Sequence, residues 1–202
     1  MNFELRKPNL DYGPLAADGS PDQPHESQPQ QPGKTRFGFR TRDFVVYPAH
    51  GVGQILSIEQ QIVAGASLEV FVIYFAKSKL TLRAPTQKAA NGGMRQLSAP
   101  NAIKRVRSTL SQRPNKPRGN WSRLAQDYSS KINSGDIIAL AEVMRDLYRP
   151  PQNSGQSFSE RQLYASALDR LSGEVALVEG ITEEDAVREL ESLMTAALRP
   201  NI

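Results

Sequence analysis

The spacing of apolar positions changes once along the chain, and the change divides it in two. From Phe44 to Arg83 the apolar residues cluster or alternate with a period of two, as strands do. Phe44-Val45-Val46-Tyr47 is β-branched and aromatic, and Val52 to Ile58 has a strand-like composition in which Gly53 reads as a bulge. Leu68 to Phe75 is mostly apolar and predicts a central strand. In Lys79 to Arg83, Leu80 and Leu82 fall on one face, Thr81 and Arg83 on the other. Ala49-His50-Gly51 and Val63 to Ser67, which contains Gly65, supply turns. About four or five short strands with tight turns predict a small curled sheet or barrel. Pro85 and Gly92-Gly93 mark the exit, and Met94 to Leu97 can add a last short strand.

Beyond Ser98 the period becomes helical. Ser98 can cap a first helix with Pro100 in its opening turn and Ile103, Val106 and Leu110 inward. A second opens at Trp121 and closes at Gly135. Ile137, Leu140, Ala141, Met144, Leu147 and Tyr148 form the stripe of a third, stopped by Pro150-Pro151. The fourth starts with a capping box of Ser159 and Gln162 and a staple of Phe158 on Leu163, then runs through Tyr164, Ala167, Leu168, Leu171 and Val175. Thr182 caps a fifth, whose inner side is Ala186, Leu190, Leu193, Met194 and Ala197. The expectation is a compact five-helix domain over residues 99–202 following a sheet domain over residues 36–98. Residues 1–35 hold six of the fourteen prolines and a Gln/Pro run from Gln28 to Pro32, which predicts a disordered low-complexity tail.

Composition narrows the function more than the fold. No stretch approaches the roughly 18 consecutive apolar residues that a membrane span needs, so no membrane partner is expected. Glu4, Arg6, Lys7 and Pro8 break any secretory signal, and the absence of cysteine excludes disulfides and thiolate chemistry, which suits the cytoplasm. No phosphate-binding Gly-rich loop and no His/Cys cluster for a metal occur. His25 lies in the tail, and His50 sits in a turn with a packing role. Glu183-Glu184-Asp185 complement a helix dipole at its start. The chain is therefore expected to be a binding protein, not an enzyme, with no catalytic residue, metal or cofactor.

Charge is unevenly placed although the formal net charge is only +4. Between Asn101 and Lys131 stand eight Lys or Arg (Lys104, Arg105, Arg107, Arg113, Lys116, Arg118, Arg123, Lys131) against the one acid Asp127. From Ser159 onward nine acids face four arginines. Such a split suits one surface for a polyanion and another for solvent, though a charge run can equally be a solvated face. The only tryptophan, Trp121, lies inside the basic stretch. Asn120 is a good N-cap, so Trp121 becomes the first helical residue, and an indole there leans off the helix end. Lys116, Arg118 and Arg123 surround it, and a flat apolar wedge among cations is what insertion into a minor groove requires. Leu124, Tyr128 and Ile132 continue from Trp121 at spacings of three, four and four, so periodicity alone favours the indole as the head of an ordinary core stripe.

Motifs in register decide between these readings. Asp43-Phe44-Val45-Val46-Tyr47-Pro48-Ala49-His50-Gly51-Val52-Gly53, Lys79-Leu80-Thr81-Leu82-Arg83-Ala84-Pro85 and Asn120-Trp121-Ser122-Arg123 resemble the CarD/CdnL family of bacterial transcription factors. The likeness continues through Ser134-Gly135-Asp136, Ala141-Glu142-Val143-Met144-Arg145-Asp146-Leu147, Ser159-Glu160-Arg161 and Gly173-Glu174-Val175-Ala176-Leu177. The resemblance implies an α+β chain of two domains, an N-terminal small Tudor/SH3-like β-barrel that docks on the RNA polymerase β subunit and a C-terminal compact five-helix domain at promoter DNA. It implies a regulator that stabilises the open promoter complex, with Trp121 wedged in the minor groove at the upstream edge of the bubble. Arg83 stands where the family places a polymerase-contacting arginine, and Gln61 at a second contact position that is often Arg in relatives. Arg123 matches a basic residue beside the wedge, Gln126 a position sometimes held by a DNA-facing lysine, and Arg161 a cation near DNA. DNA binding is expected to be weak alone, the chain monomeric on the polymerase, and its location the cytoplasm and nucleoid. The alternatives are a protein adaptor without DNA contact and an autonomous duplex DNA-binding regulator, for which no convincing recognition helix is evident.

Overall fold

A computed structural model of the chain describes residues 34–115, 119–150 and 155–199. The expected tail lies almost wholly outside them, as do Lys116 and Arg118. The described chain is α+β, with the sheet N-terminal and the helices C-terminal. A small hairpin, β1 (Thr35–Arg36) and β2 (Phe39–Arg40), precedes a five-stranded antiparallel sheet of β3 (Phe44–Tyr47), β4 (Gly51–Val63), β5 (Ala66–Phe75), β6 (Leu80–Pro85) and β7 (Arg95–Gln96). Its hydrogen-bonded order, β6-β5-β4-β3-β7, runs from one end strand to the other without closing into the expected barrel.

Alternation explains which side of the sheet is filled. Phe71, Ile73 and Phe75 of β5 pack with Val45, Ile55 and Ala84 into one core, and Leu82 rests against it. The bulge expected at Gly53 lies instead at Leu56, where the β4–β5 register shifts between Ile55 and Ser57. Gly53 has another reason: a Cβ there would come within 2.8 Å of the Ile73 and Phe75 side chains, so only glycine fits over that core. Leu80, expected inside with Leu82, is exposed because it opens the edge strand where the core ends. A short helix, α1 (Thr86–Asn91), occupies what the sequence presents as a simple exit, and it buries Ala89 in the sheet core.

Five helices follow: α2 (Pro100–Leu110), α3 (Trp121–Asn133), α4 (Ile137–Leu147), α5 (Phe158–Glu179) and α6 (Glu183–Ala197). Helix α4 is apolar on almost every side because α2, α3 and α5 all pack on it. Two predicted caps are shifted. Helix α2 is capped by Ala99 without a side-chain bond, and Ser98 instead accepts from Arg95 on its hydroxyl at 3.3 Å and donates its amide to Glu174 at 2.9 Å. The capping box of α5 is Ser157 with Glu160, not Ser159 with Gln162, which leaves Phe158 outside any staple and 68% exposed.

The sheet and the helices meet along α5. Arg95 of β7 donates to both Glu174 carboxylate oxygens at 2.6 and 2.8 Å, and its Nε donates to the Gly135 carbonyl at 2.7 Å. Glu174 is 1% exposed. One turn earlier, Arg170 donates to the carbonyls of Pro48 (2.7 Å), Ala49 (3.0 Å) and Ile132 (2.6 Å), and its burial lowers its pKa. Lys77, after β5, ion-pairs with Asp169 at 2.7 Å and Glu183 at 2.8 Å. Burial works against its charge, but the two carboxylates hold its pKa above the ordinary lysine value. Breaking a buried pair strands the remaining charge at about 3–5 kcal/mol, reduced here because the Arg95 side chain keeps 30% of its exposure. Glu174→Ala is therefore expected to lose about 2–3 kcal/mol in urea denaturation and Glu174→Gln less, since the amide oxygen still accepts. Wild-type stability of Glu174→Ala would show that the seam is not held this way.

Candidate nucleic-acid and protein interfaces

Trp121 stands where its cap puts it. The Asn120 side chain accepts from the Ser122 amide at 2.8 Å, which fixes Trp121 as the first residue of α3. The indole is half-buried: part of it packs against the helical core, and its N–H donates to Ser159 Oγ at 3.0 Å. Both readings of the sequence thus meet in one side chain. Leu124 is half-buried and Tyr128 and Ile132 are buried, as a core stripe requires, while the head of the stripe keeps an accessible surface. With its one polar atom engaged, the indole offers carbon to whatever lies beyond.

The surroundings are cationic. Arg123 is exposed and has no ion-pair partner among the described residues, and Gln126 is exposed one turn further along α3. Arg161, on α5, is exposed with one guanidinium nitrogen on the Gln156 carbonyl at 2.8 Å. Not every cation of the basic run belongs here. Arg107 is held by Glu189 and Glu179, both at 2.6 Å, and Lys131 by Glu142 at 2.5 Å. Those acids all lie outside the basic run, Glu142 eleven residues from Lys131 and Glu179 and Glu189 more than seventy from Arg107, so a count along the chain overstates the free charge.

A buried carboxylate ties the basic loop to the helices. Asp146 accepts from the Asn115 amide at 2.9 Å, just before Lys116, and from Arg145 Nε at 2.8 Å. Burial first, then this carboxylate, pushes the Tyr128 phenol up to about 12. The loop start, α3 and α4 are thereby joined at one point. Sequence reasoning did not single out Asp146 or Ser159 as supports, and the apolar run around Asp146 was the available sign, since a charge there must be partnered.

The sheet carries the second set of residues. Arg83 is exposed opposite Val72, which itself pairs with Ser57. Alternation from Ser57 through Glu59 places Gln61, half-buried opposite Leu68, on that same outer face. The two are offset by about 13 Å along the strands and separated by two strand spacings of about 4.8 Å, roughly 16 Å in all. They share a face but do not touch the α3 tip. His50, exposed, has its ring centroid 5.1 Å from that of Phe75, a packing contact.

The sheet thus presents Arg83 and Gln61 on one face, and the helical part, joined to it through Arg95 and Glu174, presents a half-buried Trp121 with exposed Arg123 close by in sequence. Residues 39–98 match the CarD-like/TRCF RID domain and residues 105–191 the CarD C-terminal domain. The chain belongs to the CarD-like family, whose members are transcription-related factors that interact with RNA polymerase. It is 29% identical over 146 residues, 72% of its own length and 95% of the relative's, to a Bacillus subtilis (strain 168) protein named "Putative transcription factor YdeB". Among the described residues no helix is long and apolar enough to cross a membrane.

Ser159 is the support that can be tested alone. Because the chain has one tryptophan, its fluorescence reports this site only. Ser159→Ala is expected to cost about 0.5–1.5 kcal/mol and to raise acrylamide quenching of the indole. Unchanged quenching and emission would show that the hydroxyl does not hold the ring.

Proposed function

We propose that this chain is a transcription regulator that docks on the RNA polymerase β subunit through the outer face of a Tudor-like sheet domain and stabilises the open promoter complex with Trp121. Arg83 and Gln61 contribute to docking. Trp121 enters the minor groove at the upstream edge of the bubble, with Arg123, Gln126, Arg161 and the loop cations Lys116 and Arg118 on phosphates and Asn120 holding the helix start. The chain catalyses no reaction and needs no cofactor. It acts in the cytoplasm, one copy per polymerase.

The observation that carries this reading is a half-buried indole at the first position of α3, its N–H already bonded to Ser159, beside an exposed Arg123 with no ion-pair partner among the described residues. An aromatic sealed in a core could not reach a groove, and one wholly exposed would not be held in a wedge's orientation. Insertion unstacks a base step at a cost of a few kcal/mol, so the wedge gains most where the duplex is already opening. It holds a bubble and does not create one. Docking supplies the local concentration, so the helical body need bind DNA only weakly. A factor that prefers the open complex shifts that equilibrium by its differential affinity.

Trp121→Ala is expected to leave polymerase binding unchanged and to shorten the open-complex lifetime after heparin challenge roughly tenfold, from about 1–3 kcal/mol of lost stacking. Trp121→Phe, which keeps the packing on the helical core, should fall between. An unaltered lifetime in both variants rejects the wedge. Arg83→Glu is expected to abolish polymerase pull-down with the fold intact by circular dichroism, and retained pull-down contradicts the docking face. The packing of Trp121 on the helical core also favours a second reading, an adaptor without DNA contact. In that case Trp121→Ala lowers the unfolding midpoint and nothing in the promoter is protected.

A further inference from the structure

Among the described residues, Phe158 takes part in neither hydrophobic core. It is the first residue of α5, whose start is capped by Ser157 and Glu160 without it. The staple that would have placed it on Leu163 does not form, and at 68% it is the most exposed large apolar side chain among the described residues of the helical part. Its place is specific. The next residue, Ser159, accepts the Trp121 indole N–H at 3.0 Å, and Ser157 Oγ lies 3.3 Å from Ser159 Oγ. Phe158 therefore stands one residue from the hydroxyl that holds the only tryptophan.

The charge around it is positive. Arg161, three residues on and exposed, shares its helix face, and Arg123, which has no ion-pair partner among the described residues, follows Trp121 by two residues on α3. Glu160, the acid nearest in sequence, is turned back on the Ser157 amide at 2.7 Å. A flat ring without hydrogen-bonding groups recognises only another flat or apolar face, and a cation one turn along recognises a phosphate. Together they are the elements with which proteins hold unpaired nucleotides without reading sequence.

We infer that Phe158 is a second aromatic contact to the opened promoter, stacking on an unpaired base next to the step that Trp121 wedges, with Arg161 on the adjoining phosphate. The inference rests on the proposed promoter contact and adds to it a residue and a ligand, a single-stranded base. Two rings on one hydroxyl-bonded corner grip both sides of the junction between duplex and bubble.

The direct test replaces Phe158 with p-benzoylphenylalanine in the full chain, assembles it with RNA polymerase and promoter DNA, and irradiates open complexes. The same replacement at Trp121 is made in parallel. The expected result is a DNA crosslink from position 158 at the upstream bubble edge, absent from complexes held closed by cold. A crosslink from 121 with none from 158, or one from 158 to polymerase alone, overturns this inference and leaves the wedge standing. A crosslink from 158 with none from 121 keeps the Phe158 contact and rejects the wedge, and none from either overturns both. Phe158→Ala and Phe158→Leu should shorten the open-complex lifetime about threefold to tenfold without moving the thermal midpoint, while Phe158→Tyr keeps it near wild type. A wild-type lifetime in Phe158→Ala overturns the contact as well.

Discussion

The buried Glu174 carboxylate is the constraint on which the two-surface arrangement depends. Held by both guanidinium nitrogens of Arg95 and by the Ser98 amide, it joins the last strand of the sheet to the longest helix. Arg170, on the same helix, adds carbonyls from the turn after β3 and from the end of α3. An apolar seam would allow sliding, because hydrophobic contact is not directional. Guanidinium bonds to fixed oxygens allow little, and their geometry sets one orientation. The outer face that carries Arg83 is thereby held at a fixed distance from the tip that carries Trp121.

On the proposed function, that rigidity would let weak chemistry at the tip be enough. One half-exposed indole and a few unpaired cations cannot hold duplex DNA alone at physiological salt. If the sheet domain docks as proposed, the same groups would act at a high effective concentration, provided the span between the surfaces matches the span on the target. A flexible connection would spread the tip over many positions and dilute it. The supports around the tip serve the same end, with Asp146 holding the Asn115 amide and Ser159 the indole N–H.

Local rules made much of this readable in the sequence, and long-range pairs did not. The start of α3 was set by Asn120, and the core of α4 by an unbroken apolar stripe, because both depend on neighbours within a turn. The strands followed from alternation, although β4 extends past Ile58 to Val63, since its hairpin with β5 continues through polar pairs such as Gln60 with Glu69. The α5 cap was misplaced because two overlapping frames fit the capping pattern, and the one ending in Glu160 wins by adding a carboxylate at the positive end of the helix. Arg95 with Glu174 and Arg107 with Glu189 lie about eighty residues apart, so no periodicity reveals them. The basic run around Trp121 was visible, but which of its cations remain unpaired is a property of the fold. Arg83 and Gln61 were each placed by family likeness, and only the register of β4, β5 and β6 shows that they share a face.

Hydroxyl-radical footprinting of a polymerase–promoter complex, with and without this protein, tests the central claim most directly. The account predicts added protection confined to the upstream edge of the melted region, present with polymerase and absent on the same DNA alone at equal protein concentration. An unchanged footprint on the polymerase complex, or equal protection of free duplex, would contradict it.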